Sequence, residues 1–252
     1  MPRIHGISHL LLDIEGTTCP VSFVSQTLFP YAAERLGTFL EQRAADPEVQ
    51  RLLREAGAAW DDDQDPAARQ LWSQLGGQAS ALAQPAAAIA RYLQLLITQD
   101  RKLTALKDLQ GLIWAAGYDH GELVAPLFAD VVPALKRWHA KGVVLAVYSS
   151  GSVPAQQLLY GHTRDGDLRT LFQHWFDTRT GPKQVAASYA AIASSMGVSP
   201  GQVLFLSDSR SECEAAHGAG MAVLFSDRAD NPHRDSGPFE KIGDYGDLQL
   251  EP

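Results

Sequence analysis

Apolar residues follow two different rhythms along this chain. Residues 8–12, "SHLLL", form a short unbroken apolar run that ends at Asp13, the pattern of a strand buried on both faces. From Phe23 to about Gly117 the stretches "FVSQTLFPYAAERLGTFLEQ", "PAAAIARYLQLLITQD" and "KLTALKDLQGLIWAAGY" repeat apolar residues three and four apart, which predicts helices. The acidic segment "WDDDQDPAAR", Trp60 to Arg69, predicts a loop between two of them. Beyond Val131 helix and strand patterns alternate: helix "VPALKRWHAKG", strand "VVLAVY", helix "VPAQQLLY", a short strand near "HWFD", helix "KQVAASYAAIASSMG", strand "VLFLS", helix "SECEAAHGAG" and strand "MAVLF". Such alternation predicts a parallel sheet with helices on both faces. The polar stretch "DRADNPHRDSGPF" predicts a loop before a last ordered piece at "FEKIGDYGDL".

The first strand needs neighbours, and the later strands are the candidates. The expected fold class is therefore α/β, a Rossmann-like parallel-sheet core made of residues 1–18 and 125–252, with an inserted α-helical domain over residues 19–124. A chain of 252 residues can bury a core of that size.

Composition narrows the function classes. Apolar residues make up 45% and charged residues 20% of the chain, the balance of a soluble folded protein. The net charge is -8 and the pI about 5.4, with no Lys/Arg cluster to track a phosphate backbone, so nucleic acid is not an expected partner. No apolar run approaches the roughly 20 residues that span a bilayer, so no membrane partner is expected. "MPRIHGISHL" lacks the layout of a signal peptide, and Cys19 and Cys213 lack metal-ligand spacing; a cytoplasmic location and a monomer are expected.

In parallel α/β sheets ligands bind beyond the carboxyl ends of the strands. Those positions here hold Asp13, Glu15, Gly16 and Thr17 after the first run, Ser149, Ser150 and Gly151 after the second, and Ser207, Asp208 and Glu212 after "VLFL", with Lys183 expected to open a helix after "FDTRTGP". Two acids on separate strands, a hydroxyl pair and a lysine suit one Mg²⁺ and a phosphate: Mg²⁺ takes few carboxylates and completes its shell with phosphate and water. Asp13 would attack phosphorus to give an aspartyl phosphate, and Glu15 would protonate the leaving oxygen and later deprotonate water. Taken singly, each of these residues has a plainer reading: a turn or cap for Asp13 and "SSGS", a solvated lysine for Lys183, a dipole-complementing acid for Glu212. Their joint occurrence at successive strand ends is what independent caps rarely produce. His139, His162 and His217 are read as structural, and Cys19, with no activating histidine, as a small buried side chain.

"DIEGT" at 13–17 resembles the first motif of the haloacid dehalogenase-like hydrolases, and Ser149, Lys183 and "SDSRSE" resemble its second, third and fourth. Glu15, where most of that family has aspartate, together with "LLDIEGTTCPVSFV", "LKDLQGLIWAAGYDHGEL", "FADVVPALKRWHAKG" and "VYSSGSVPAQQLLYGHT", is similar to its enolase-phosphatase branch, which serves methionine salvage. That resemblance implies a Rossmann-like core with the helical insertion as a cap. It implies enolisation of 2,3-diketo-5-methylthiopentyl 1-phosphate followed by phosphate removal to an acireductone. It also implies Mg²⁺ on the Asp13 and Asp208 side chains and the Glu15 carbonyl, with Ser149, Ser150 and Lys183 holding substrate. Cys19, Val185 and Ala187 depart from the pattern but remove no catalytic group.

Other readings stay open at this point. A phosphatase of the same family could act on a sugar or nucleotide phosphate, although the apolar set Phe23, Trp114 and Tyr118 suits a methylthio tail better. A dehalogenase would not need Glu15, Asp208 or a metal, and a non-catalytic phosphate-binding module would not need Asp13 and Glu15 together.

Overall fold

A computed structural model describes residues 3–75 and 85–251. The chain divides into two compact units: one takes the residues up to Val24 and from Leu123 onward, the other Ser25–Glu122. In chain order the first unit opens with β1 (Arg3–His5), β2 (His9–Leu12) and a short helix α1 (Val21–Phe23), which leads through a π-helical turn (Val24–Leu28) into the second.

The second unit holds α2 (Phe29–Gln42), α3 (Pro47–Asp62), α4 (Pro66–Gln74), α5 (Ala86–Thr98) and α6 (Thr104–Asp119). Its apolar stripes converge on a core of its own that includes Leu36, Leu52, Trp60, Leu93 and Leu109, with Trp60 stacked on Tyr92 at 4.9 Å. The loop predicted over Trp60 to Arg69 is shorter than the acidic stretch suggests. Trp60 lies in α3 and is fully buried, and only Asp63, Gln64 and Asp65 separate α3 from α4. Asp65 caps α4 by accepting the Ala67 and Ala68 N–H groups, and Pro66 takes the first helical position, where its missing N–H costs nothing.

The first unit resumes with α7 (Val131–Ala140), β3 (Val144–Tyr148), α8 (Val153–Gly161), β4 (Phe172–Phe176), α9 (Ala186–Met196), β5 (Val203–Ser207), α10 (Arg210–Gly218), β6 (Ala222–Ser226), β7 (Lys241–Ile242) and β8 (Gln249–Glu251). Six strands form an all-parallel sheet in the order β4-β3-β2-β5-β6-β7. Every residue of β2 is buried, as the unbroken apolar run predicts, because β2 lies inside the sheet between β3 and β5. Register fixes the site: Leu12 pairs with Val147 on one side and Leu206 on the other, so the three chains emerge from the sheet at one level. A second, two-stranded sheet pairs β1 with β8 in parallel. No described helix is long and apolar enough to cross a membrane.

Candidate active site

Asp13 is the first residue beyond β2 and is 5% exposed. Its N–H donates to the Leu206 carbonyl at 3.0 Å, which carries the strand register one residue into the site. Its Oδ1 accepts the Lys183 ammonium at 2.6 Å and its Oδ2 the Ser207 hydroxyl at 3.2 Å. Lys183 also meets Glu212 Oε2 at 2.7 Å. A carboxylate at the end of β2 and one in the first turn of α10 thus share one buried ammonium.

Lys183 does not open a helix. It lies in a loop, three residues before α9, and that loop is held at three successive carbonyls: Tyr148 donates to Gly181, Ser188 to Pro182 and Tyr189 to Lys183, each at 2.8 Å. Gly181 has φ +152°, and a Cβ there would stand 2.2 Å from the Ser188 hydroxyl, so no other residue fits. The helix begins only at Ala186, after Val185 in an extended conformation.

Asp13, Glu15, Ser150, Lys183, Asp208 and Glu212 line a single cavity of about 190 Å³, together with Val21 and Pro232. Ser149 is buried behind it; its hydroxyl oxygen accepts the Gly151 N–H at 3.1 Å, leaving its proton to donate. Gly16, at φ +69°, closes the turn after Glu15. A Cβ there would fall 2.0 Å from Asp208 Oδ2, so the Gly16 backbone lies directly against that carboxylate. Of the apolar set read from the sequence, Phe23 is buried in the first unit, while Trp114, whose Nε1 donates to the Leu28 carbonyl at 2.8 Å, and buried Tyr118 belong to the second.

The electrostatics follow from four acids around one cation. Burial, then Asp13, raises the Glu15 carboxyl, with Lys183 opposing. Burial pushes Asp208 up to about 7, with Asp13 and Glu212 adding to it. Burial and Asp13 push Glu212 up to about 7 against the pull of Lys183. For Lys183 burial disfavours the charge, but Asp13 and Glu212 outweigh it and hold the ammonium above its usual range. Burial pushes Cys19 up to about 12, with Glu15 adding to it, so it stays a thiol and no nucleophile.

This donor set fits Mg²⁺. Among the described residues no group of three or more His, Cys, Asp or Glu side chains could hold a metal ion by itself. A cation at Asp13 and Asp208 would therefore draw its remaining oxygens from backbone, water and phosphate, which is how Mg²⁺ is usually bound. Mg²⁺ would also favour the ionised Asp208 carboxylate, which burial and then the neighbouring acids disfavour.

Comparison with known proteins places the chain in a family. The model for haloacid dehalogenase-like hydrolases matches residues 7–220. The chain belongs to the haloacid dehalogenase-like hydrolases. Within them its relatives include enolase-phosphatase E1 of Synechococcus sp. strain CC9902, 48% identical over 96% of this chain and 98% of that one. Enolase-phosphatase E1 of Parasynechococcus marenigrum strain WH8102 is 50% identical over 90% and 91% of the two chains. The crystal structure of the UTR4 protein of Saccharomyces cerevisiae superposes with a TM-score of 0.74 at 32% identity, covering 96% of this chain and all of that one. CbbY of Rhodobacter sphaeroides, solved with phosphate, shares the haloacid dehalogenase-like fold at a TM-score of 0.56 and 19% identity, over 96% of each chain.

Ser207, marked in the sequence at its strand end without a role, joins Asp13 to Glu212; sequence reasoning passed over Tyr148, Ser188 and Tyr189, which hold the lysine loop. Ser207 lacked a role because a strand-end serine does not by itself show that it bridges two carboxylates. The other three carry no signal of their role.

Proposed function

We propose that this hydrolase is an enolase-phosphatase that enolises 2,3-diketo-5-methylthiopentyl 1-phosphate and then removes its phosphate, giving 1,2-dihydroxy-3-keto-5-methylthiopentene in methionine salvage. The observation that carries the reading is Asp13 held by both Lys183 and Ser207 at the strand ends, on a chain about half identical to enolase-phosphatases over nearly its whole length. A dehalogenase would use the attacking aspartate but has no use for Glu15 beside it or for Asp208 across the cavity.

One Mg²⁺ per chain would be held by the Asp13 and Asp208 carboxylates and the Glu15 carbonyl, and it supplies positive charge for the phosphate and for an enolate oxygen. Lys183 spends two of its three N–H bonds on Asp13 and Glu212, leaving the third for a phosphoryl oxygen. Ser149 and Ser150 give hydroxyl donors at the next strand end. In the first step a base takes the proton beside the substrate carbonyl while Lys183 steadies the developing oxyanion. In the second, an Asp13 oxygen forms the new bond to phosphorus as the bond to the substrate oxygen breaks, and that oxygen leaves with the Glu15 proton. Glu15, now ionised, takes a proton from the water that cleaves the aspartyl phosphate. Burial keeps Glu15 protonated to higher pH than an exposed glutamate, which suits the acid role. Its extra methylene over aspartate gives it the reach to act in the enolisation as well. A cytoplasmic monomer with an inserted helical cap domain completes the reading.

The test records phosphate release from the diketo phosphate and ultraviolet absorbance of the conjugated enol together, with and without Mg²⁺. Metal-dependent rise of both is expected. Phosphate release confined to simple sugar phosphates would sink the assigned substrate. In Glu15→Asp the two signals slow unequally; equal slowing would remove Glu15 from the first step.

A further inference from the structure

The turn that carries Glu15 and Gly16 is gripped from behind. The Gly16 carbonyl accepts the Asn231 amide at 2.8 Å and the Ser226 hydroxyl at 3.3 Å. The Thr17 carbonyl accepts Arg228 Nε at 3.3 Å, Arg228 Nη2 at 3.2 Å and the Tyr245 hydroxyl at 3.0 Å. Arg228 is itself fixed and 5% exposed: its Nη1 meets both Asp130 oxygens at 2.9 Å and the Gly243 carbonyl at 2.7 Å. Its guanidinium lies over the rings of Phe128 and Tyr245, at 4.5 and 4.2 Å.

The turn does not need these donors for its shape. It closes on itself, Gly16 N–H to the Cys19 carbonyl at 2.8 Å and Thr17 N–H to the Ile14 carbonyl at 3.1 Å. Five donor contacts from the segment 226–245 onto two successive carbonyls fix where the turn sits. That position matters because Gly16 packs against the Asp208 carboxylate, and Glu15 is its neighbour on the other side. A displacement of about 1 Å at such a site costs about 10²-fold in rate.

We propose that Arg228 and Asn231 are positioning residues of the reaction, anchoring the Gly16 and Thr17 carbonyls so that Glu15 and Asp208 keep their places at the cavity. Tyr245 and Asp130 extend the anchor: Asp130 accepts from both Arg228 and the Tyr245 N–H, the latter at 2.7 Å. The proposal rests on the phosphatase reading of the site but not on the identity of the substrate.

The test uses the full chain and four proteins: wild type, Asn231→Ala, Arg228→Lys and Tyr245→Phe, the last removing a single hydroxyl so that folding is kept. Each is assayed with p-nitrophenyl phosphate and with the diketo phosphate, and Mg²⁺ binding is measured by titration calorimetry. Asn231→Ala and Arg228→Lys are expected to lower kcat about 10- to 100-fold on both substrates with KM nearly unchanged, and to weaken Mg²⁺ binding. Tyr245→Phe follows in the same direction by a smaller factor. Wild-type kcat and Mg²⁺ affinity in folded Asn231→Ala and Tyr245→Phe, with only the melting midpoint lowered, would overturn the proposal. Wild-type enzyme that cleaves the aryl phosphate but leaves the diketo phosphate intact would overturn the substrate assignment instead, and the positioning role would then be decided by the aryl phosphate rates.

Discussion

Among the described residues of the first unit one lysine and one arginine, Lys183 and Arg228, are buried, and their surroundings are opposite. Arg228 meets a single carboxylate, Asp130, and spends its remaining donors on carbonyls between two aromatic rings, so charge and hydrogen bonds both close. Lys183 meets two carboxylates, with Glu15 and Asp208 on the same cavity, so negative charge is left over. A closed pair holds its surroundings in place. An unbalanced cluster of raised carboxyls is the state of a site that has positive charge still to receive.

The largest effect should come from the unbalanced cluster. Asp13→Asn is expected to cut phosphate release at saturating substrate by about 10⁴-fold or more, with the circular dichroism spectrum unchanged. Retention of more than about a hundredth of the wild-type rate would remove Asp13 as the nucleophile. The balanced pair should respond in stability as well as in rate: Arg228→Met leaves Asp130 without its counter-charge and is expected to cost about 3–5 kcal/mol, read from the urea midpoint at constant slope. Glu212→Gln should do the reverse. By relieving surplus acid it should raise the stability of Mg²⁺-free protein by about 0.5–2 kcal/mol while lowering activity. A loss comparable to that of Arg228→Met would erase the distinction between the two clusters.

The smallest effect belongs to a third cluster, in the helical unit, where Asp63 meets Arg101 at 2.7 Å and Tyr92 at 2.9 Å. Burial acts to raise the Asp63 carboxyl, but the Asp65 N–H, Arg101 and Tyr92 together hold it below the usual range. A carboxyl lowered in the folded state stabilises above the unfolded value of about 3.9 and loses that contribution as pH falls through the folded one. The difference in melting midpoint between wild type and Asp63→Asn should therefore be constant near neutrality and shrink below about pH 4. A constant gap into strong acid would show that Asp63 acts through shape alone.

Legibility in the sequence followed the apolar runs. Asp13, Ser149 and Asp208 each stand within one or two residues of the end of a buried strand, and such strands announce their own ends; Glu212 follows one helical turn on. Lys183 could be placed near the site but not in its loop, because the alanine-rich helix pattern after it gives no starting signal stronger than Pro182. The anchor was not legible. Arg228 and Asn231 sit in a polar, proline-bearing stretch that reads as plain loop, and their partners Gly16 and Thr17 lie 215 and 211 positions away. β1 and β8, of three residues each, and β7, of two, are too short to show a period.

The placement of β2 inside the sheet has a consequence for the nascent chain. β2 is synthesised first among the six strands, yet its neighbours β3 and β5 follow about 130 and 190 residues later. At about 5–20 residues per second the ribosome makes β2 wait roughly 10 to 40 s for β5. The helical unit, whose contacts are local and whose core is its own, is finished well before then. Synthesis therefore holds a mostly apolar strand without its full pair of neighbours after the helical unit has been made, and that interval is when this chain most needs a chaperone.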